Sequence, residues 1–176
     1  NDTTTLNTGI TYPLHPLISN DTVSRKNIIF ILLDSWNPRI FDTETMPNLS
    51  GFATRSSVFT HHLSSSSGTR GSIFGLFFGI SPTYWKDFEL SGTSPLFIQT
   101  LLEQGYDVQT FPSATLQNPP FDRIIFGEVP HLRTETQGAT PFERDTRLTA
   151  DFLQYLDQKP DRRYQSMFHL FCFFIL

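Results

Sequence analysis

Residues 28–34 have the sequence Ile-Ile-Phe-Ile-Leu-Leu-Asp, six apolar residues followed by a carboxylate. A short apolar run that contains β-branched residues and is bounded by polar ones predicts a strand buried on both faces. Strands of this kind are typical of parallel sheets that are covered by helices. We therefore predict an α/β fold with a mostly parallel sheet flanked by helices.

Helix and strand patterns alternate along the rest of the chain, which supports this fold class. Helices are predicted near residues 47–55, 73–80 and 94–105, and strands at residues 57–63, 106–111 and 167–176. Thr140 and Glu143 form a capping box, so a further helix is expected to begin there. Its apolar face comprises Leu148, Phe152, Tyr155 and Leu156. The proline-rich region 112–137 is predicted to be irregular.

The last ten residues are almost wholly apolar, and a fully buried strand does not normally end a chain. Either this strand lies at the centre of the sheet and the chain stops there, or the sequence is a fragment of a larger domain. We prefer the second alternative, because a central parallel strand needs further strands and helices around it. Residues 27–176 are thus expected to be the N-terminal portion of an incomplete domain. Residues 1–26, with Pro13 and Pro16, are expected to be a leader or linker that lies along a surface.

Composition excludes several classes of protein. The chain has 176 residues with a net charge of −4, which argues against a nucleic-acid partner bound through a broad basic surface. Cys172 is the single cysteine, so an internal disulfide framework and a multi-cysteine zinc site are excluded. No apolar run reaches the roughly 18 residues that span a bilayer. The 18 Phe residues predict an aromatic core or an apolar interface.

Asp34 is the first candidate for a functional residue, because it lies at the carboxyl end of a predicted strand and ligands of open α/β sheets bind beyond such ends. A carboxylate held there by a rigid strand is well placed to bind a divalent cation, which prefers hard oxygen ligands. The alternative is that Asp34 only caps the turn that follows the strand. Position alone favours neither alternative.

The second candidate is the segment Ser-Ser-Ser-Ser-Gly-Thr-Arg-Gly at residues 64–71, between a predicted strand and a predicted helix. Backbone N–H groups at the start of that helix favour an anion, and Arg70 can hold a phosphate or sulfate. Thr69 is a candidate nucleophile if a metal or a base activates its hydroxyl. The alternative is a flexible Ser/Gly connector. Because residues 34 and 64–71 both follow strand ends, one site could contain both.

The histidines give a weaker signal. His61 and His62 fall on opposite faces of the predicted strand 57–63, so at most one of them faces a given pocket. His169 and Cys172 lie within the last apolar strand, where packing is the expected role. No dinucleotide-binding, P-loop, zincin or nucleophile-elbow motif is present.

Several segments carry a resemblance to a known family: residues 27–35, 46–49 (Met-Pro-Asn-Leu), 58–62 (Val-Phe-Thr-His-His) and, above all, 64–85. They resemble the sulfatase-like domain of the YejM/PbgA inner-membrane proteins, within the alkaline phosphatase and sulfatase superfamily. The resemblance covers about residues 27–176, and residues 12–17 look like the linker between membrane helices and globular domain in that family.

This resemblance implies a sulfatase-like domain on the periplasmic face of a bacterial inner membrane, with membrane helices that we expect to lie outside this chain. It implies that Asp34 matches a metal ligand of the superfamily and that residues 64–71 match the region of its nucleophile. Thr69 then becomes both candidate nucleophile and candidate metal ligand, with Mg, Mn or Zn as the divalent ion. Arg70 would bind the anion.

The sequence also departs from the family patterns. The Cys/Ser-x-Pro-x-Arg motif of formylglycine sulfatases is absent. Strict alignment of the loop with lipoteichoic-acid-synthase-like relatives places Gly68 at the nucleophile position, with Thr69 next to it. Relatives complete the metal site with Asp and His residues further along the chain. We therefore expect an incomplete site and an inactive chain when it is tested alone.

Two functions follow from the resemblance. The first is a largely non-catalytic regulator of lipopolysaccharide and outer-membrane lipid balance, with lipid or lipopolysaccharide as partner, which is the role for which YejM-like proteins are chiefly known. The second is a metal-dependent hydrolase or transferase that acts on phosphate or sulfate esters. A truncated product without independent function is a third alternative. We favour the regulator, because the sulfatase-like fold by itself implies no reaction.

Overall fold

The computed structural model describes residues 9–18, residues 26–158 and the backbone of residues 167–174. Its strands are β1 (Ile28–Asp34), β2 (Asp107–Pro112) and β3 (Met167–Phe174). Its α-helices are α1 (Pro47–Ala53), α2 (Thr69–Phe78), α3 (Trp85–Ser91), α4 (Leu96–Glu103), α5 (Phe121–Ile124) and α6 (Pro141–Asp157), and short 3-10 helices cover Pro38–Ile40 and Pro82–Tyr84. The predicted α/β class is confirmed.

The three described strands pair in the order β1-β3-β2, and β3 runs parallel to both neighbours. Asp34 lies opposite Phe174 in one pairing, and Pro112 lies opposite Cys172 in the other. The last described strand is therefore the middle one. Because all three strands point the same way, their carboxyl ends lie at one edge of the sheet, where Asp34 ends β1.

The expectation that β1 is buried on both faces is wrong. Phe30 and Leu32 pack against the main core, but Ile29 and Ile31 on the other face are 51% and 59% exposed. Helix α6 packs on β2 and β3. Within the described residues, no element buries the side chains of Ile29 and Ile31 on the second face of β1. The apolar pattern therefore predicts the strand but not the elements that pack against it.

Phenylalanine is the most frequent of the buried apolar residues in the described part of the chain, as the composition predicted. Phe74 of α2 is fully buried, with its ring stacked 4.4 Å from that of Phe78 and set edge-on to that of Phe88 at 5.6 Å. Helix α2 buries side chains on several sides because α4 and the 3-10 turn at Pro82–Tyr84 pack against it. This packing gives α2 a fixed position relative to the end of β1.

Two other expectations need correction. Residues 57–63 form no strand but an irregular segment with a turn at Thr60 and His61, in which Phe59 is 83% exposed. A strand needs a partner to be stable, and none of the described strands pairs with this segment. The region 112–137 is largely irregular, as predicted, but it contains α5 and it adds buried core residues such as Ile125 and Phe126.

The predicted linker packs against the core through Ile10 and Tyr12. The Tyr12 hydroxyl donates a hydrogen bond to the Phe78 carbonyl at 3.0 Å and accepts one from the Leu96 amide at 3.3 Å. Its ring lies edge-on to Phe88 with the centroids 5.1 Å apart. Burial raises the pKa of Tyr12, although the Leu96 amide opposes the shift. Residues 9–18 thus lie along the helices and insert one aromatic ring between them.

Candidate functional site

Asp34 and Thr69 meet at the edge of the sheet. The Thr69 hydroxyl donates a hydrogen bond to Asp34 Oδ2 at 2.8 Å, and the Ser35 amide donates one to Asp34 Oδ1 at 2.8 Å. Ser35 has a φ of 57°, so the chain turns sharply as it leaves β1. Because Thr69 is the first residue of α2, the bond joins the end of β1 to the start of that helix. The structure thus brings together two residues that the sequence placed in one site.

A pocket of about 460 Å³ opens beside this pair. Aliphatic side chains make up much of its wall, and we call it the aliphatic pocket; they are Leu32, Leu33, Leu63, Ile73 and Leu76. His62 also lines the pocket, whereas the His61 ring contacts the Thr60 hydroxyl at 3.0 Å. Of these two histidines, His62 is the one that lines the pocket, but the strand that was expected to separate them is absent from residues 57–63.

The serine-rich segment packs against α2. The hydroxyls of Ser64 and Ser72 are 2.7 Å apart, and each lies within 2.8 Å of the Ser66 carbonyl. A Cβ at Gly75 would lie 2.6 Å from Ser65 Cβ, so this glycine provides the space into which the loop fits. The hydrogen bonds and the close approach fix the loop beside Thr69. These contacts favour the interpretation of residues 64–71 as part of the site over that of a flexible connector.

Arg70 faces a second cavity of about 580 Å³, which we call the polar pocket. Hydroxyl side chains dominate its wall, namely Ser65, Ser66, Thr69, Ser81 and Thr83. The Arg70 guanidinium carbon lies 5.4 Å from the centroid of the Trp85 ring. Within the described part of the chain, Arg70 forms no ion pair, since the salt bridge there joins Arg133 and Asp151.

The start of α2 also lies in the polar pocket. Its N-cap is Gly68, which offers no side chain to the amides of the first turn. Such amides have no partner within a helix, and together with the helix dipole they favour an anion. Thr69 lines both pockets, whereas Asp34 lines the aliphatic pocket and Arg70 the polar one. The three predicted site residues are therefore adjacent but face two cavities.

The donor set for a metal is small in this part of the molecule. Asp34 and Thr69 offer oxygen atoms, but both carboxylate oxygens of Asp34 already accept hydrogen bonds. Among the described residues, no three His, Cys, Asp or Glu side chains gather where they could hold a metal ion. Hard divalent cations take about six or more oxygen ligands, some of which can be water. These residues by themselves do not fit a complete metal site.

Two of the weaker candidates, His169 and Cys172, have side chains outside the described residues. Sequence reasoning missed Trp85 and the hydroxyls of Ser81 and Thr83, which complete the wall of the polar pocket. The signal that could have found them is the run of aromatic and hydroxyl residues directly after the apolar part of α2. None of the helices in residues 9–18 and 26–158 is long and apolar enough to cross a membrane.

Comparison with known proteins agrees with this architecture. The sulfatase family model matches residues 26–171. The chain is 32% identical over 134 residues to the inner membrane protein YejM of Salmonella typhimurium, and to the same extent to YejM of Salmonella typhi. The aligned residues cover 75% of this chain and 23% of each relative. An uncharacterized protein of Haemophilus influenzae is 23% identical over 157 residues, covering 84% of this chain and 27% of that protein. The chain thus spans about a quarter of the length of these relatives. It belongs to the sulfatase family.

Proposed function

We propose that this chain is part of the periplasmic, sulfatase-like domain of a YejM-like inner-membrane protein and that its polar pocket binds a phosphate or sulfate group. In this proposal the protein is a largely non-catalytic regulator of lipopolysaccharide and outer-membrane lipid balance. The anionic group belongs to lipopolysaccharide or to another lipid. The complete domain would extend the described parallel sheet beyond β1 and cover Ile29 and Ile31.

One observation carries the proposal: Arg70 faces the polar pocket beside the first turn of α2 and forms no ion pair in the described chain. A guanidinium offers five N–H donors, which match the oxygens of phosphate or sulfate. The amides of the first turn of α2 add neutral donors of the kind that such anions accept, whereas the hydroxyls of Thr69 and Ser65 already donate to Asp34 and to the Gly71 carbonyl. These groups can bind an anion without help from a metal.

Titration with inorganic phosphate tests the binding step. We expect the full chain to bind phosphate, and Arg70→Ala to weaken the binding at least about tenfold, as for the loss of a charged hydrogen bond. Arg55→Ala is a matched control, because Arg55 lies over the exposed ring of Phe52 on α1 and does not line the pocket. Equal phosphate affinity of wild type and Arg70→Ala would refute the proposed anion site.

The lipid partner is tested separately with vesicles. The wild-type protein should bind phosphatidylcholine vesicles that contain lipopolysaccharide more strongly than vesicles of phosphatidylcholine alone, and Arg70→Ala should reduce this difference. If Arg70→Ala loses phosphate binding but keeps the full preference for lipopolysaccharide, the lipid does not bind through this pocket. A lipid partner at Arg70 would then be excluded.

A second candidate function is a metal-dependent hydrolase or transferase that acts on phosphate or sulfate esters. The observation that favours it is the 2.8 Å hydrogen bond from Thr69 to Asp34, because a hydroxyl paired with a carboxylate is typical of activated nucleophiles. Asp34 and Thr69 would supply two oxygen ligands for Mg, Mn or Zn, and residues outside the described chain would have to supply the others.

Hydrolysis of p-nitrophenyl phosphate and p-nitrophenyl sulfate, measured with and without added Mg, Mn or Zn, separates the two functions. We expect no turnover by this chain alone. Turnover that Asp34→Asn abolishes while the variant stays folded would overturn the non-catalytic role. Metal analysis of wild type and Asp34→Ala adds a second readout, since a stoichiometric ion that depends on Asp34 would support the enzyme.

A further inference from the structure

We infer that Trp85 is a positioning residue, which holds the Arg70 guanidinium in the polar pocket and so increases the affinity of that pocket for a phosphate or sulfate group. This inference rests on the proposed function. The residue pair is formed by two helices, since Arg70 is the second residue of α2 and Trp85 is the first residue of α3. The guanidinium carbon lies 5.4 Å from the ring centroid, within the range of cation–π contacts.

The Trp85 ring is a rigid platform. It is only 6% exposed, and its ring lies 5.8 Å from that of Phe74 and edge-on to that of Phe121 at 5.9 Å. Phe74 and Phe121 are themselves buried. A ring held in this way has few alternative rotamers, so the position of the guanidinium over it is fixed by the core and not by the surface.

This contact leaves the binding atoms of Arg70 available. A guanidinium has five N–H donors, more than a contact with one ring can occupy, so donors remain for an anion. An exposed arginine side chain loses much conformational freedom when it binds a ligand. Contact with Trp85 restricts the side chain before the anion arrives, which reduces that loss and strengthens binding.

Two other arginines over aromatic rings show how Arg70 differs. Arg55 lies 5.7 Å from the Phe52 ring, but that ring is 56% exposed and has no rigid surroundings. Arg133 lies 5.4 Å from the Phe111 ring, but its guanidinium is bound to Asp151 at 2.7 Å. Among the described residues, Arg70 differs from these two arginines because it contacts a buried ring, lines a pocket and forms no ion pair.

A double-mutant cycle on phosphate affinity tests the inference, with calorimetric titration of the full chain by inorganic phosphate. We expect Trp85→Leu, which keeps an apolar side chain but removes the π face, to weaken binding about two- to fivefold, the effect of one cation–π contact. In the Arg70→Ala background the same substitution should have no further effect on phosphate affinity. A role of Trp85 in the fold alone would instead weaken binding to the same extent in both backgrounds, and that result would overturn the inference.

Arg70→Lys keeps the test decisive if Trp85→Leu does not fold. Lysine retains the charge but lacks the planar group that rests on the indole. We expect Arg70→Lys to bind phosphate more weakly than wild type, and full affinity in this variant would refute the positioning role. If Arg70→Ala weakens binding while Trp85→Leu leaves it unchanged, only the inference fails. If Arg70→Ala binds like wild type, the proposed anion site fails as well.

Discussion

Substitution of Gly75 by alanine tests how the serine-rich loop is held beside Thr69. Gly75 lies inside α2, where alanine is normally about 1 kcal/mol more favourable than glycine. At this position, however, the new Cβ would lie 2.6 Å from Ser65 Cβ and would also overlap the Ser65 hydroxyl. The hydroxyl can rotate away, but Ser65 Cβ can move only if the loop backbone moves with it.

The two effects oppose each other, and the structure indicates which one is larger. Overpacking of this kind costs about 1–3 kcal/mol, so the helix gain of about 1 kcal/mol leaves a net destabilisation of about 0–2 kcal/mol. Gly51→Ala is the matched control, because Gly51 also lies in a helix, α1, and an added Cβ there would meet nothing within 4 Å. That variant should be stabilised by about 0.5–1 kcal/mol.

Urea denaturation of both variants measures the difference between them in free energy of unfolding, which we expect to be about 0.5–3 kcal/mol. Adding Ser65→Gly to Gly75→Ala should restore most of the loss, because it removes both atoms that collide. If Gly75→Ala is as stabilising as Gly51→Ala, the loop does not pack against α2 as described, and the close contact at Gly75 would be refuted.

Further predictions concern the core, a helix cap and a buried hydroxyl, all measured by urea denaturation. Phe74→Ala should cost about 3–5 kcal/mol because the ring is fully buried, whereas Phe59→Ala at an 83% exposed position should change stability by less than about 0.5 kcal/mol. Thr140→Ala should lower the free energy of unfolding by about 1 kcal/mol, because the Thr140 hydroxyl accepts a hydrogen bond from the amide of the third residue of α6. Thr149→Ala should lower it by less, because this variant loses only a hydrogen bond that the hydroxyl donates to a carbonyl of the same helix. Burial raises the pKa of Tyr12 above its ordinary 10.0, so the folded state holds this proton more tightly than the unfolded state does. The stabilisation by the protonated Tyr12 is complete below about pH 10 and is lost as the pH rises through the folded pKa. The difference in free energy of unfolding between wild type and Tyr12→Phe should therefore stay constant from about pH 8 to about pH 10 and narrow towards about pH 11. A difference that stays constant up to about pH 11 would contradict the raised pKa.

Local signals predicted four of the six described α-helices, but not α3 and α5. The capping box at Thr140 marks the start of α6, and in the structure the Thr140 hydroxyl accepts from the Glu143 amide at 3.2 Å. The carboxylate of Glu143 in turn accepts from the Ala139 amide at 2.7 Å, one residue before the position that the motif predicts. Such signals depend only on residues a few positions apart, which is why the sequence alone reveals them.

Pairing and burial could not be predicted in the same way. Residues 57–63 have the alternation of a strand, but whether a strand forms depends on a partner elsewhere in the chain. The apolar pattern of β1 likewise predicts a strand without saying which face a helix covers. Helix α3 was missed because its main signal is the burial of Trp85 and Phe88 against α2 and α5, which is not local.

The candidate site was predictable in part. Asp34 and Thr69 could be placed together because each follows the end of a predicted strand, although only β1 proved to be one. The direction of Arg70 could not be predicted. It depends on Trp85, which is fifteen positions away along the chain and is itself held by Phe121.

The hydrogen bond between Asp34 and Thr69 has two consequences that must be separated by measurement. It could prepare a nucleophile, and it also fastens the end of β1 to the start of α2. A hydrogen bond to a charged group contributes about 1.5–3 kcal/mol, so variants of either residue will lose stability whatever the chemistry of the site. Lost function in Asp34→Asn therefore supports catalysis only where the variant remains folded under the assay conditions. Arg70 has no such structural bond in the described chain, so its removal tests anion recognition with the β1–α2 connection intact.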